Sequence, residues 1–208
     1  MKKDKNKEFA RAFAYEWPLY IVLPLIGGLT ISYLLRVRHL PAPYEKLNLF
    51  VAASKSESEA LSKNITLTFK EEGLKETTIS QANPADSIFL TKLSVVGYQG
   101  ADLFLLPYSV LKDIKADDYL LRISDELKAK YLPSGTNDFY TQDGYTFGVK
   151  LKSANQTNWL TTYISFLEED YYLSLNVKSQ NIGSYGLYDN PNYDLALKTM
   201  GYLLKGSL

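Results

Sequence analysis

Residues Trp17–Leu35 (WPLYIVLPLIGGLTISYLL) run for nineteen positions without a charge. At about 1.5 Å of rise per residue, such a helix spans roughly 28 Å, close to the hydrocarbon thickness of a bilayer. Trp17, Tyr20 and Tyr33 stand near its ends, where amphipathic rings prefer the headgroup level. Pro24 and the pair Gly27-Gly28 weaken a helix in water but are tolerated in lipid. Five basic residues (Lys2, Lys3, Lys5, Lys7 and Arg11) precede the stretch, and only Arg36 and Arg38 follow it directly, which favours an N-terminus in the cytoplasm. The chain reads as a cytoplasmic tail over 1–16, a transmembrane helix over 17–36, a linker over 37–44 and an extracytoplasmic domain over 45–208. That makes it a single-pass protein of a bacterial cell membrane, with its C-terminal domain outside. A buried helix of a soluble protein and a signal peptide cut near Ala42 are the rival readings. Against cleavage, no small-x-small site directly follows the apolar run.

Charge and cysteine content remove whole classes of function. From Leu40 onward, 16 Lys/Arg face 20 Asp/Glu, a balance of −4. A mildly acidic domain lacks the clustered positive charge that displaces counterions from phosphate, so no nucleic-acid partner is expected. The chain has no cysteine, which excludes disulfides, thiolate metal sites, a cysteine nucleophile and a lipid-modified cysteine. Its one histidine, His39, lies in the linker. Zinc and transition metals favour His and Cys ligands, and a Ser-His-Asp triad needs a histidine in the domain. No cofactor, no metal and no enzymatic activity are expected.

Beyond the stiff spacer Leu40–Tyr44, strand-like and helix-like blocks alternate. Lys46–Ala53 reads as a strand. Over 57–72, Leu61, Ile65 and Phe69 recur every four residues before Gly73, which favours a helix. Ile65, Leu67 and Phe69 also alternate with period two, which suits a strand. Lys75–Gln81 is the next strand, Asn83–Asp86 a turn leading into a helix to Gln99, and Ala101–Leu106 an apolar strand of the kind buried on both faces of a parallel sheet. A short helix starts at Tyr108. A helix is predicted over Asp125–Tyr131, a turn-rich stretch through Thr141–Gly144, strands over Tyr145–Leu151 and Tyr171–Val177, and a terminal helix over Tyr193–Leu204. Trp159–Leu167 is apolar and of no definite type. The order predicts two βαβ units.

Leu47–Ala53, Lys75–Gln81 and Ala101–Pro107 (ADLFLLP) together resemble the N-terminal lobe of extracellular solute-binding proteins of bacterial ABC importers, of the sugar-binding type. Asp143–Leu151 (DGYTFGVKL) is similar to that family's strand leading toward the hinge, Tyr171–Gly183 to its return segment and Asn190–Leu204 to its terminal helix. The resemblance implies an α/β fold: a single periplasmic-binding-protein-like lobe with a mainly parallel sheet of five strands, preceded by the transmembrane helix. It departs from the family at one point: about twenty residues separate Leu151 from Tyr171, where a second lobe would be inserted. A two-lobed clamp encloses its ligand; one lobe leaves a half-open cleft.

In such sheets ligands bind at the carboxyl ends of the parallel strands. Ser54, Gln81, Asn83 and Tyr108 stand there, although each is also an ordinary turn or capping residue. The chain has 17 tyrosines and 2 tryptophans, and a tyrosine ring gives amphipathic contact area at low entropic cost. Tyr140, Tyr145, Trp159 and Tyr185 fall in or beside loops and complete the candidate ligand- or partner-binding set. Glu168-Glu169-Asp170 and Asp117-Asp118 read as solvated acidic faces, since sequence neighbours rarely oppose each other as catalytic carboxylates must. The leading expectation is an interaction or assembly module docking on a membrane-protein partner. The alternatives are the substrate-binding component of an ABC importer for a small solute or glycan, and a wall-acting hydrolase using carboxylates.

Overall fold

The computed structural model describes residues 21–35, 37 and 40–205. The chain divides into two units, residues 1–40 and 41–208. In the first, residues 21–35 form a helix, α1, whose large apolar side chains from Ile21 to Leu35 are all exposed. Trp17–Tyr20 and Arg36, the ends of the expected span, and the tail over 1–16 lie outside the described residues. Among the described residues, no helix is long and apolar enough to cross a membrane.

The second unit is an α/β domain. Its elements run β1 (Lys46–Ala52), β2 (Lys55–Ser56), α2 (Ser58–Thr68), β3 (Glu76–Ala82), α3 (Phe89–Lys92), a π-helical turn (Leu93–Gly97), α4 (Tyr98–Gly100) and β4 (Leu103–Pro107). They continue with α5 (Tyr108–Leu111), α6 (Ala116–Tyr119), α7 (Asp125–Tyr131), β5 (Phe139–Gln142), β6 (Tyr145–Lys152), β7 (Ile164–Ser165), β8 (Tyr171–Leu175) and α8 (Leu195–Lys205). Over 58–68 the four-residue spacing prevails over the period-two pattern. Leu61 and Ile65 are buried, and Gly73 at φ 93° closes the segment in the left-handed conformation that favours glycine. Ser124 caps α7, its hydroxyl accepting the Leu127 N–H at 3.2 Å.

The main sheet has six strands in the order β3-β1-β4-β8-β6-β5. β1 pairs in parallel with β3 and with β4, whereas β4–β8, β8–β6 and β6–β5 are antiparallel. The expected mainly parallel, five-stranded sheet is therefore corrected to a mixed sheet of six. There are two causes. β8 returns between β4 and β6, and β5 and β6 meet through Asp143-Gly144, at φ 52° and 82°, a two-residue hairpin turn open only to antiparallel neighbours.

Alternation along the strands builds a core on each face. Leu47, Leu49 and Val51 of β1 join Leu103, Leu105 and Leu173 beneath α2 and α8. Phe50, Ala52, Phe104 and Leu106 face the other way, against Phe89 and Leu93. β6 breaks the alternation. Tyr140 pairs with Gly148 and Thr141 with Thr146, so Phe147 is a bulge residue and joins the second core while Val149 joins the first. A second bulge follows, since Lys150 pairs with Tyr172 and Lys152 with Tyr171.

Candidate functional site

The carboxyl ends of β1, β3 and β4 bring Ser54, Gln81, Asn83 and Tyr108 to one end of the sheet, but three of the four are occupied by the chain itself. The Ser54 hydroxyl donates to Ser165 O at 2.8 Å, tying β1 to the small β2–β7 ribbon. Gln81 donates through Nε2 to Ala53 O at 2.8 Å and accepts from the Ser56 hydroxyl at 3.4 Å. The Asn83 side chain accepts the Ala85 N–H at 3.0 Å, an Asx turn that starts the way into α3. Tyr108 differs: the residue is 49 % exposed.

The Tyr108 ring rests edge-on to Tyr140 (6.3 Å between centroids) and tilted against Tyr172 (6.4 Å), and those two also meet at 5.8 Å. Tyr140 is a buried residue, contrary to its expected loop position, and its hydroxyl donates to Leu111 O at 2.9 Å. Burial raises the Tyr140 phenol, with the nearby Tyr108 adding to it. Tyr108 therefore stands on a fixed aromatic platform. The segment before β8 reaches the same place. Glu169 accepts the backbone N–H and the hydroxyl of Ser109, each at 2.9 Å, and Tyr108 N–H donates to Asp170 O at 2.9 Å. The acidic run at 168–170 thus partly serves to hold the start of α5 rather than standing wholly in solvent.

The remaining candidates are dispersed. Tyr145, 49 % exposed, lies under the Arg122 guanidinium at 3.8 Å, and Arg122 in turn grips Asp117 through two 2.7 Å bonds. Trp159 packs against Tyr163 and Tyr202 and donates through Nε1 to Leu203 O at 3.3 Å. The Tyr185 hydroxyl donates to Glu126 at 3.0 Å. The eight residues do not form one site: four gather around the strand ends, Tyr140 lies beneath Tyr108, and the others stand on separate surfaces.

Two polar features went unread in the sequence. At the carboxyl end of β6, the bulge at Leu151 turns Lys152 inward. It is buried, donates to Ser153 O and Ala154 O at 2.9 Å each, and burial lowers its pKa. Its neighbour Lys150 pairs with Asp170 at 2.8 Å, and the two lysines border a cleft of about 300 Å³ with Thr136, Asn137 and Gln156. At the opposite end of the sheet, buried Asp102, Asn176, Ser179 and Asn181 form a hydrogen-bonded cluster around the start of β4. Alternation alone does not reveal either feature, because one depends on a bulge and the other on partners some 77 residues apart. Among the described residues, no group of three or more His, Asp or Glu could hold a metal ion.

No protein-family model matches the sequence, and no curated protein matches it.

Proposed function

We propose that the chain is a membrane-anchored, extracytoplasmic interaction module with a reduced solute-binding-protein-like lobe, which docks on a membrane-protein partner. The observation that carries this reading is the state of the strand-end residues. Ser54 and Gln81 use their side-chain donors within the chain and Asn83 its side-chain carbonyl oxygen, while Tyr108 is half exposed on a rigid aromatic base. Groups already satisfied gain little from a small polar ligand, whereas an exposed, preorganised tyrosine suits a protein interface. The exposed apolar surface of α1 supports the anchor, and the antiparallel pairing of β6 with β8 supports the lobe resemblance, since a strand toward a hinge and its return should be neighbours.

A photo-crosslinking residue at position 108 tests the proposal in whole cells. A discrete adduct with one membrane protein, absent when the crosslinker replaces exposed Leu67, is the expected result. A free domain at position 108 would argue for the second reading, capture of a small solute. The lysine-bordered cleft beside β6 favours that alternative, and calorimetry with small sugars distinguishes it.

A further inference from the structure

We propose that the exposed apolar side chains along residues 88–96, with Val95 and Val96 foremost, rest on the lipid surface. The proposal rests on the anchoring reading and adds to it the face of the domain that meets the bilayer.

The segment is apolar where a helix facing water is normally polar. Ile88, Leu90, Val95 and Val96 are all exposed, Leu90 at 70 % and Val95 at 65 %, along α3 and the π-helical turn that follows it. Phe89, Leu93 and Tyr98 of the same run are buried in the second core, so the exposed four are surplus to that packing. From Ser87 to Ala101 the sequence holds one charged residue, Lys92, and no acidic one, although the domain as a whole is acidic. Lys92 is exposed and pairs with no carboxylate among the described residues. Apolar side chains around an unpaired lysine suit the boundary between acyl chains and anionic headgroups.

The place of the segment in the fold says what covers it. α3, the π-helical turn and α4 lead from β3 back to β4, so the run ends at the amino end of β4, beside the amino half of β1. The chain enters the domain at this end. A shallow groove of about 390 Å³ at Val95 and Val96 is bordered by Asn48, Gln99 and Gly100. The same three residues border the neighbouring cleft together with Pro41 and Pro43, at the start of the domain. Five residues, 36–40, separate Leu35 from Pro41. A fully extended chain of that length reaches at most about 21 Å. With the apolar segment in the bilayer, Pro41 therefore stays within that distance of lipid. Four side chains make a small patch for partners that meet by diffusion, but a short tether makes the contact intramolecular, at high effective concentration. Lipid holds that advantage over any diffusing protein.

The chain has no cysteine, so one introduced thiol carries a fluorophore to a chosen position. The test reconstitutes the full chain in vesicles of phosphatidylcholine and phosphatidylglycerol containing nitroxide lipid, labelled at the headgroup or along the acyl chain. An NBD probe is placed through Val95→Cys, Val96→Cys, Ile26→Cys or Leu67→Cys. Ile26 reports the anchor; Leu67, likewise exposed, reports α2 on the other face of the sheet. The expected result is quenching at Ile26, and quenching at Val95 and Val96 stronger than at Leu67 by about twofold or more. Quenching at Ile26, with Val95 and Val96 no more quenched than Leu67, would overturn the contact and leave the anchor standing. No quenching at Ile26 would overturn the anchoring reading and this contact with it. A blue-shifted Val96 probe that lipid does not quench would put a second copy of the chain on the patch and overturn the proposal.

Discussion

Gly148 of β6 lies directly opposite Ser174 of β8, and a Cβ at position 148 would stand 2.7 Å from the Ser174 hydroxyl oxygen. Ser174 is fully buried, and its hydroxyl has no partner among the described residues. The pair therefore joins a close strand approach to an unsatisfied polar atom in the middle of the sheet. Gly148→Ala should destabilise the domain by about 1–3 kcal/mol through overpacking. Ser174→Ala alone should be neutral or stabilising, because it deletes a buried hydroxyl that makes no bond. Urea denaturation of the two single variants and the double variant checks the coupling. The double should recover most of the Gly148→Ala loss; strict additivity would mean the contact does not limit packing there.

Two tyrosines in contact should behave oppositely. Tyr108 is half exposed, so Tyr108→Ala should leave the melting temperature within a few degrees of wild type. Tyr140→Phe removes the hydroxyl that serves Leu111 O and should cost about 1–2 kcal/mol, although it changes one atom. Thermal melts of both variants decide it.

The contrast shows how far the sequence could be read. The helix over Asp125–Tyr131 was legible to the residue, because Ser124 caps it and the fold leaves that local signal alone. β5 is not legible in the sequence because Phe139–Gln142 has only four residues, too few to display a period. The burial of Tyr140, inside that short strand, is hidden with it. The Trp159–Leu167 stretch divides into a 3-10 turn and β7, whose strand character comes from pairing with Lys55-Ser56 rather than from its own composition. The strand ends of β1, β3 and β4 were found because they are local. The Asp102 cluster was not, because Asn48 and Ser179 reach it only through the fold.

The Asp170–Lys150 pair predicts a pH dependence with a definite sign. The Lys150 hydrogen bond, with help from the Ala154 N–H, holds the Asp170 carboxyl below the usual carboxylate range, burial opposing it. A carboxyl depressed in the folded state contributes stability that is fully present above its unfolded pKa of about 3.9 and is lost as pH falls through the folded value. Lys150→Met should therefore reduce stability at pH 7 by up to about 1 kcal/mol and shrink the loss that wild type suffers between pH 7 and pH 3. Asp102 works the other way: burial raises it, so its protonation favours the folded state at low pH. Urea midpoints at the two pH values report the difference. An equal deficit at both would show that the pair is electrostatically idle.

The proposed anchoring by the apolar segment predicts that the intact chain fractionates with membranes and resists extraction by high salt, which strips proteins held by charge alone. Protease added outside whole cells should reach the domain, consistent with the basic flank before Trp17. A mature chain beginning near Ala42 and recovered from the medium would instead establish cleavage.

The last prediction concerns how the strand-end surface acts. With Ser54, Gln81 and the Asn83 side-chain carbonyl engaged by the chain, a free sugar finds few unsatisfied groups. Binding no tighter than roughly millimolar, about −4 kcal/mol, follows for a ligand buried over only part of its surface. A protein partner covers more area and can use Tyr108 as an anchor whose base, Tyr140 and Tyr172, is already fixed, so little ordering entropy opposes binding. Tyr108→Ala should therefore weaken a co-purifying membrane partner at least tenfold, with the melting temperature nearly unchanged. Tyr145→Ala and Tyr185→Ala, on separate surfaces, should weaken it less. Micromolar binding of a small sugar to the full chain by calorimetry would reverse this ordering and restore solute capture as the function of the domain.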